Sequence, residues 1–356
     1  MSTRAPDRRP PDRGFAAELR DAVTLRSFAL VSGVLLLQFG FILSYIGAFH
    51  SPTPHRIPVA VVAPPAVAGQ AVAQVNALTG RPLKARTAPG AQQARRDILH
   101  RDVDAAIIVD PRGGTDTLLV ASAAGPALAG TATDVAHRLE TARGRQVTVV
   151  DIRPPGPKDG RGLSSFYLVI GWVVGGYLAA AILAVAGGAR PGNARHTVIR
   201  LGALALYSVV SGLGGALIAG PLLGALPGHF FPVWGIGALV VFAAAAATAA
   251  LQTLFGLVGI GLAILLFVVL GNPSAGGAYP VALLPPFWRA IGGWLPTGAA
   301  TTAVRNTVYF SGNATAHALW VLAGWALAGA VVALAVSALR PRAPAPAEGI
   351  ASARGG

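Results

Sequence analysis

A chain of 356 residues that is 53% hydrophobic and only 12% charged is too apolar for an ordinary soluble protein, in which roughly 25% of residues carry charge. It has no cysteine, which excludes disulfides, thiolate metal sites and Cys nucleophiles. The net charge of +14 is almost all Arg, with no interleaved aromatics of the kind a nucleic-acid stacking platform needs, so it reads as the basic flanks of membrane spans.

Residues 1–14 are rich in Pro and Arg and read as a disordered cytoplasmic tail. The spacing predicts an amphipathic helix over 15–26, with Phe15, Leu19, Ala22 and Val23 on one face. Ser27–Phe49 carries no charge over 23 residues. It is long enough to span, and longer than the apolar region of a cleaved signal peptide, so it reads as a retained signal-anchor.

Residues 50–163 have ordinary polarity and alternate between strand and helix patterns. Strands are predicted over 57–63, 82–87, 105–110, 115–122 and 146–152, and helices over 66–78, 90–101 and 127–143. The alternation predicts one small α/β domain.

The remainder, 164–339, is apolar all round. No Asp or Glu occurs between Asp159 and Glu348, and no charged residue at all between Arg200 and Arg289. Soluble helices need a polar face, so spans are predicted over 164–188, 201–223, 231–251, 254–270 and 317–339. The predicted fold is therefore mainly α. It is a polytopic membrane protein with six transmembrane helices and a small extracytoplasmic α/β domain between helices 1 and 2. The Pro/Ala-rich residues 340–356 read as a second cytoplasmic tail.

Residues 271–312 stand apart. Asn272-Pro273, Gly276-Gly277 and Pro285-Pro286 punctuate them. Trp288, Arg289 and Trp294 suit a membrane–water interface. A helix over 297–310 would carry Arg305, which at the bilayer centre would cost about 2.5–3.5 kcal/mol, so Arg305 and Arg289 are expected at the outer surface or facing protein. Pro285, Pro286, Trp288, Arg289, Trp294 and Arg305 form a predicted outer re-entrant cap, either structural or a lid over an exit path.

Orientation follows from the short flanks. Arg precedes the first span, Arg190, Arg195 and Arg200 occupy the loop between the second and third, and Arg340 and Arg342 follow the last. With six spans these flanks share one side, which the positive-inside rule assigns to the cytoplasm. The chain is accordingly expected in the plasma membrane, with both termini cytoplasmic.

No catalytic, cofactor or metal site is predicted. Lys84 and Lys158 are followed by Ala85 and Asp159, so neither completes a phosphate-binding Gly-Lys-Ser/Thr loop, and there is no His-Glu-x-x-His. The missing carboxylates disfavour proton coupling. Gln38, Gln252 and Thr253 are expected to bond neighbouring helices, and Gly171/Gly175, Gly220/Gly224 and Gly256/Gly259/Gly261 to allow close helix approach.

One span, an external α/β domain and five further spans resemble the ABC-2 type exporter permeases, most of all their phage-infection-protein-like (YhgE/Pip) and DUF3533 branch. Three stretches carry the resemblance: Ala94-Arg95-Arg96-Asp97-Ile98 with the strand 105–109, Leu163-Ser164-Ser165-Phe166-Tyr167, and Gly271-Asn272-Pro273 through Arg305-Asn306. The resemblance implies a half-transporter that forms a homo- or heterodimer, pairs with a separate cytoplasmic ABC ATPase and exports hydrophobic or cell-envelope compounds. It implies that Arg190, Arg195, His196 and Arg200 form the ATPase-coupling loop. That loop has no acidic residue, where many such permeases carry one. The alternative reading is a surface receptor or envelope scaffold whose spans only anchor it.

Overall fold

The structure, a computed structural model, describes residues 24–188 and 193–339. Most of the amphipathic helix expected over 15–26, both tails and Arg190 lie outside the described residues.

The first helix, α1 (Leu25–Phe49), is capped by Thr24, whose hydroxyl accepts the Ser27 amide at 3.1 Å. The chain then builds β1 (Ile57–Val62), α2 (Pro65–Asn76), β2 (Leu83–Thr87), α3 (Ala91–Leu99), β3 (Ala105–Ile108), β4 (Thr115–Val120), α4 (Pro126–Thr141) and β5 (Gln146–Asp151). The sheet order is β2-β1-β3-β4-β5. Helical crossovers make β1 parallel to β2 and β3, and β4 parallel to β5, while the short 109–114 connection leaves β3 and β4 antiparallel.

Strand periodicity decides what each face of this sheet meets. Ile57, Val59, Val61, Ala105, Ile107, Leu118 and Val120 point to one side and are covered by α2 and α4 through Val75, Leu128, Ala132 and Ala136. The alternate residues Ala60, Ala106 and Leu119 point the other way, onto Ala94 and Ile98 of α3. That second core continues without a break into the helical bundle. The sheet domain and the bundle are thus packed together.

The bundle contains α5 (Ser164–Gly187), α6 (Ala194–Leu217, extended by a π turn Ile218–Leu222), α7 (Phe230–Phe255) and α11 (Ala316–Ala338). With α1 these are five helices long and apolar enough to cross a membrane. The sequence predicts six. The missing one, expected over 254–270, is broken at Gly256 (φ 66°). It resumes as the shorter apolar segment Val258–Ser274, which comprises α8 (Val258–Ile264) and a π-helical run, Leu265–Gly271. At about 1.5 Å per residue its 17 residues reach roughly 25 Å, less than the ~30 Å hydrocarbon layer.

α7 is the central helix. Its run Ala243–Ala247 is buried, because α5, α6 and α11 approach it at glycines. A Cβ on Gly176 would lie 2.5 Å from Val241 O, one on Gly212 2.5 Å from Ala238 N, and one on Gly329 2.6 Å from Ala246 C. Of the predicted small-residue positions, Gly171 faces open space, whereas Gly259 does meet backbone, 2.4 Å from Leu251 O. In so Ala/Gly-rich a chain, spacing alone could not say which glycines face a neighbour.

Candidate functional site

After α8 the chain turns back toward the sheet domain, where the His55 amide donates to Ala282 O at 3.0 Å. It then runs through α9 (Pro286–Gly292) and α10 (Pro296–Tyr309). Trp325, nine residues into α11, donates its indole N–H to Trp294 O at 2.8 Å. The Trp294 ring lies edge to face with His317, the second residue of α11, so Trp294 sits beside the first turns of that helix. By Asn313 the chain is back at the domain, where the Asn313 amide donates to Leu99 O at 3.1 Å.

The predicted cap residues therefore part company. Pro286 and Trp294 are exposed, Pro285, Trp288 and Arg289 half-buried, and Arg305 only 7% exposed. α10 packs between α5, α7 and α11. Its N-terminal turn sits close to other backbone: a Cβ on Gly298 would lie 2.0 Å from Gly292 O. Arg305 faces protein, and its burial follows from the small residues of Thr297–Ala303 that let α10 enter the bundle.

The far end of α10 carries the polar chemistry. Tyr309 donates to Asp159 Oδ2 at 2.6 Å, and Asp159 Oδ1 accepts the amide and hydroxyl of Ser164 at 2.9 and 2.7 Å. Asp159 is 2% exposed. Beside this cluster, a cavity of about 280 Å³ separates α10 from the sheet domain, with Arg101, Asp104, Gly276, Thr302, Arg305 and Asn306 in its lining. Arg101 pairs with Asp104 at 3.0 Å and lies over the Phe310 ring at 4.8 Å from its centroid. Burial pushes the Asp104 carboxyl above the usual Asp range, opposed by the charge and hydrogen bond of Arg101. Arg305 donates from Nη1 to Gly276 O at 3.1 Å.

A second feature is an apolar groove of about 450 Å³ along α7, α8 and α11, lined by Leu251, Leu254, Leu262, Leu266, Trp325 and Val332 among others. It meets an aromatic recess of similar size formed by Trp294, His317, Trp320 and Trp325, with Trp294 and His317 edge to face at 5.0 Å. Trp325 and Ala328 line both, so the two form one track down α11.

At the bundle end remote from the sheet, Arg195 and His196 are exposed at the start of α6. Arg200 is committed elsewhere. Its Nη2 donates to Leu183 O and Gly188 O at 2.7 and 2.8 Å, satisfying the carbonyl end of α5. The Thr197 hydroxyl donates to Ser337 Oγ at 2.7 Å, so the start of α6 and the end of α11 lie together.

Gln252 departs from its predicted role. It is 0% exposed, yet neither its amide nitrogen nor its oxygen has a partner. The Thr253 hydroxyl donates to Ala249 O at 2.7 Å, one turn back along its own helix. Gln38 is exposed. The polar junction was missed by sequence reading, because Arg101, Asp159 and Tyr309 are far apart in the chain and none belongs to a motif. Asp159 being the last carboxylate before Glu348 was the one available signal.

Comparison of the chain with protein-family models, with curated proteins and with solved structures gives no match in any of the three.

Proposed function

We propose that this protein is the membrane subunit of an ABC-2 type exporter, moving a hydrophobic or cell-envelope compound outward with energy from a separate cytoplasmic ATPase. The observation that carries this reading is the apolar track between α7, α8 and α11. It runs along α11 from Val332 to Trp325 and joins the aromatic recess formed by Trp294, His317, Trp320 and Trp325. A pure anchor has no use for such a track, whereas a permease can pass an apolar molecule along it. The continuous core between sheet domain and bundle supports the same reading, since movement of α5 or α10 would be felt by the domain.

The topology proposed with it is cytoplasmic termini and an extracytoplasmic 50–163 domain. The Thr197–Ser337 bond supports this, because it brings the Arg-rich flank of α6 beside the end of α11, which Arg340 and Arg342 follow. Arg195 and His196 would then face the ATPase. Arg200 serves the end of α5 and is a poor probe of docking.

The experiment is purification from native membranes in mild detergent, with identification of the proteins that co-elute. A stoichiometric ATPase bearing a P-loop, released by Arg195→Glu, is the expected result. Recovery alone, or with envelope enzymes only, would instead favour a surface receptor or scaffold.

A further inference from the structure

Arg305 presents an unusual buried edge. Its Nη1 is used by Gly276 O, but Nε and Nη2 have no partner. Those two donors form the side of the guanidinium that grips two oxygens of one anion in parallel. The group is 7% exposed and lines the 280 Å³ cavity. Across the same cavity, Arg101 spends Nη2 on Asp104 and leaves Nη1 buried without a partner. Buried polar groups are nearly always satisfied, so three unpaired donors from two cations around one space call for an acceptor.

Two further observations point the same way. Neighbouring carboxylates are already engaged: Asp159 accepts from Tyr309 and Ser164, and Asp104 is held by Arg101. Arg101 also sits at φ 67°, closing α3 where glycine is the usual residue. The Asp102 amide bonds Asp97 O at 2.9 Å and the Arg101 amide bonds Ile98 O at 3.1 Å, which makes this a left-handed helix end. This helix end brings Arg101 to the wall of the cavity.

We propose that the cavity between α3 and α10 binds a phosphate group, gripped side-on by Arg305 and capped from the sheet domain by Arg101. Donors on two walls suit a tetrahedral oxyanion better than a planar carboxylate. The space also suits the size: a water takes roughly 30 Å³, so the cavity holds a phosphate with a few waters. Bound there, the anion bridges the domain and the re-entrant segment, and removes the repulsion between two neighbouring cations. The phosphate could come from a lipid headgroup or from solution. The site would be the same in a transporter or in a scaffold.

The test uses the full-length purified protein in two arms. One measures uptake of radiolabelled inorganic phosphate in detergent. The other measures retention of phosphatidic acid, against diacylglycerol, by native mass spectrometry after reconstitution in nanodiscs. The expected result is saturable binding in one arm, weakened at least tenfold by Arg305→Lys or Arg101→Lys and unchanged by Arg112→Lys, which alters an exposed residue of the β3–β4 connection. The binding arm identifies the source. Should Arg305→Lys fail to fold, Arg101→Lys alone gives the reading. Absence of binding in both arms, or equal binding by every folded variant, overturns the proposal.

Discussion

The Tyr309 hydroxyl donates to Asp159 Oδ2 at 2.6 Å, joining two residues 150 positions apart. The same carboxylate holds the first residue of α5 through Ser164. One side chain thus fastens the entry of the second long apolar helix to the end of α10. Tyr309→Phe keeps the ring and removes the donor, leaving one buried oxygen of Asp159 unpaired. The expected loss is about 1–3 kcal/mol, read as a lower thermal midpoint of the protein in detergent. Ser164→Ala should cost less, because the Ser164 amide still donates.

The crossings onto α7 make a second prediction. Gly329→Val places carbon against the backbone of Ala246 and Ala247, where even a Cβ would lie 2.6 Å away. Overpacking of this kind costs about 1–3 kcal/mol. Gly324→Ala, on the same helix with nothing within 4 Å, should be neutral or stabilising by up to about 1 kcal/mol. Thermal unfolding of the two variants side by side tests whether close approach, rather than helix propensity, dictates the glycine.

Gln252 gives a prediction of opposite sign. Its buried amide has no partner, so Gln252→Leu exchanges an unsatisfied polar group for an apolar one of similar size. Stability should rise, by about 1–3 kcal/mol if the full desolvation penalty is recovered. A fall in the thermal midpoint would show that the amide is bonded in the working protein.

Within the sheet domain, Asp116 and Glu140 should respond to pH in opposite directions. Burial raises the Asp116 carboxyl, but the hydrogen bonds from Arg145, with the Asp110 amide, outweigh it and hold it below the usual 3.8. Its contribution is therefore present above pH 3.8 and lost as pH falls through the depressed value. Glu140 is raised above 4.5, by burial first and then by the adjacent Asp116. An acid with a raised folded value favours the fold while protonated, so its contribution fades as pH climbs past 4.5. Glu140→Gln should thus raise the thermal midpoint at pH 7 relative to pH 4, whereas Asp116→Asn should lower it at pH 7 and converge with the parent protein once pH has fallen through the depressed value.

The sequence by itself determined the membrane character, the presence of five long apolar helices and the strand–helix alternation of the sheet domain. These are local properties: a charge-free run of 23 residues, or the alternation Ile57, Val59, Val61, is visible without knowing what it packs against. It could not foresee that the apolar stretch expected over 254–270 is interrupted, because the break at Gly256 and the π-helical run after Ile264 depend on how α8 fits beside α1 and α7. Nor could it separate Gly212, pressed on α7, from Gly171, facing open space. Arg101, Asp159 and the α10 pair Arg305 and Tyr309 lie on three separate segments, and only tertiary packing brings them to one junction. Burial is what makes them informative, since an unpaired guanidinium edge is ordinary in water and costly inside a protein.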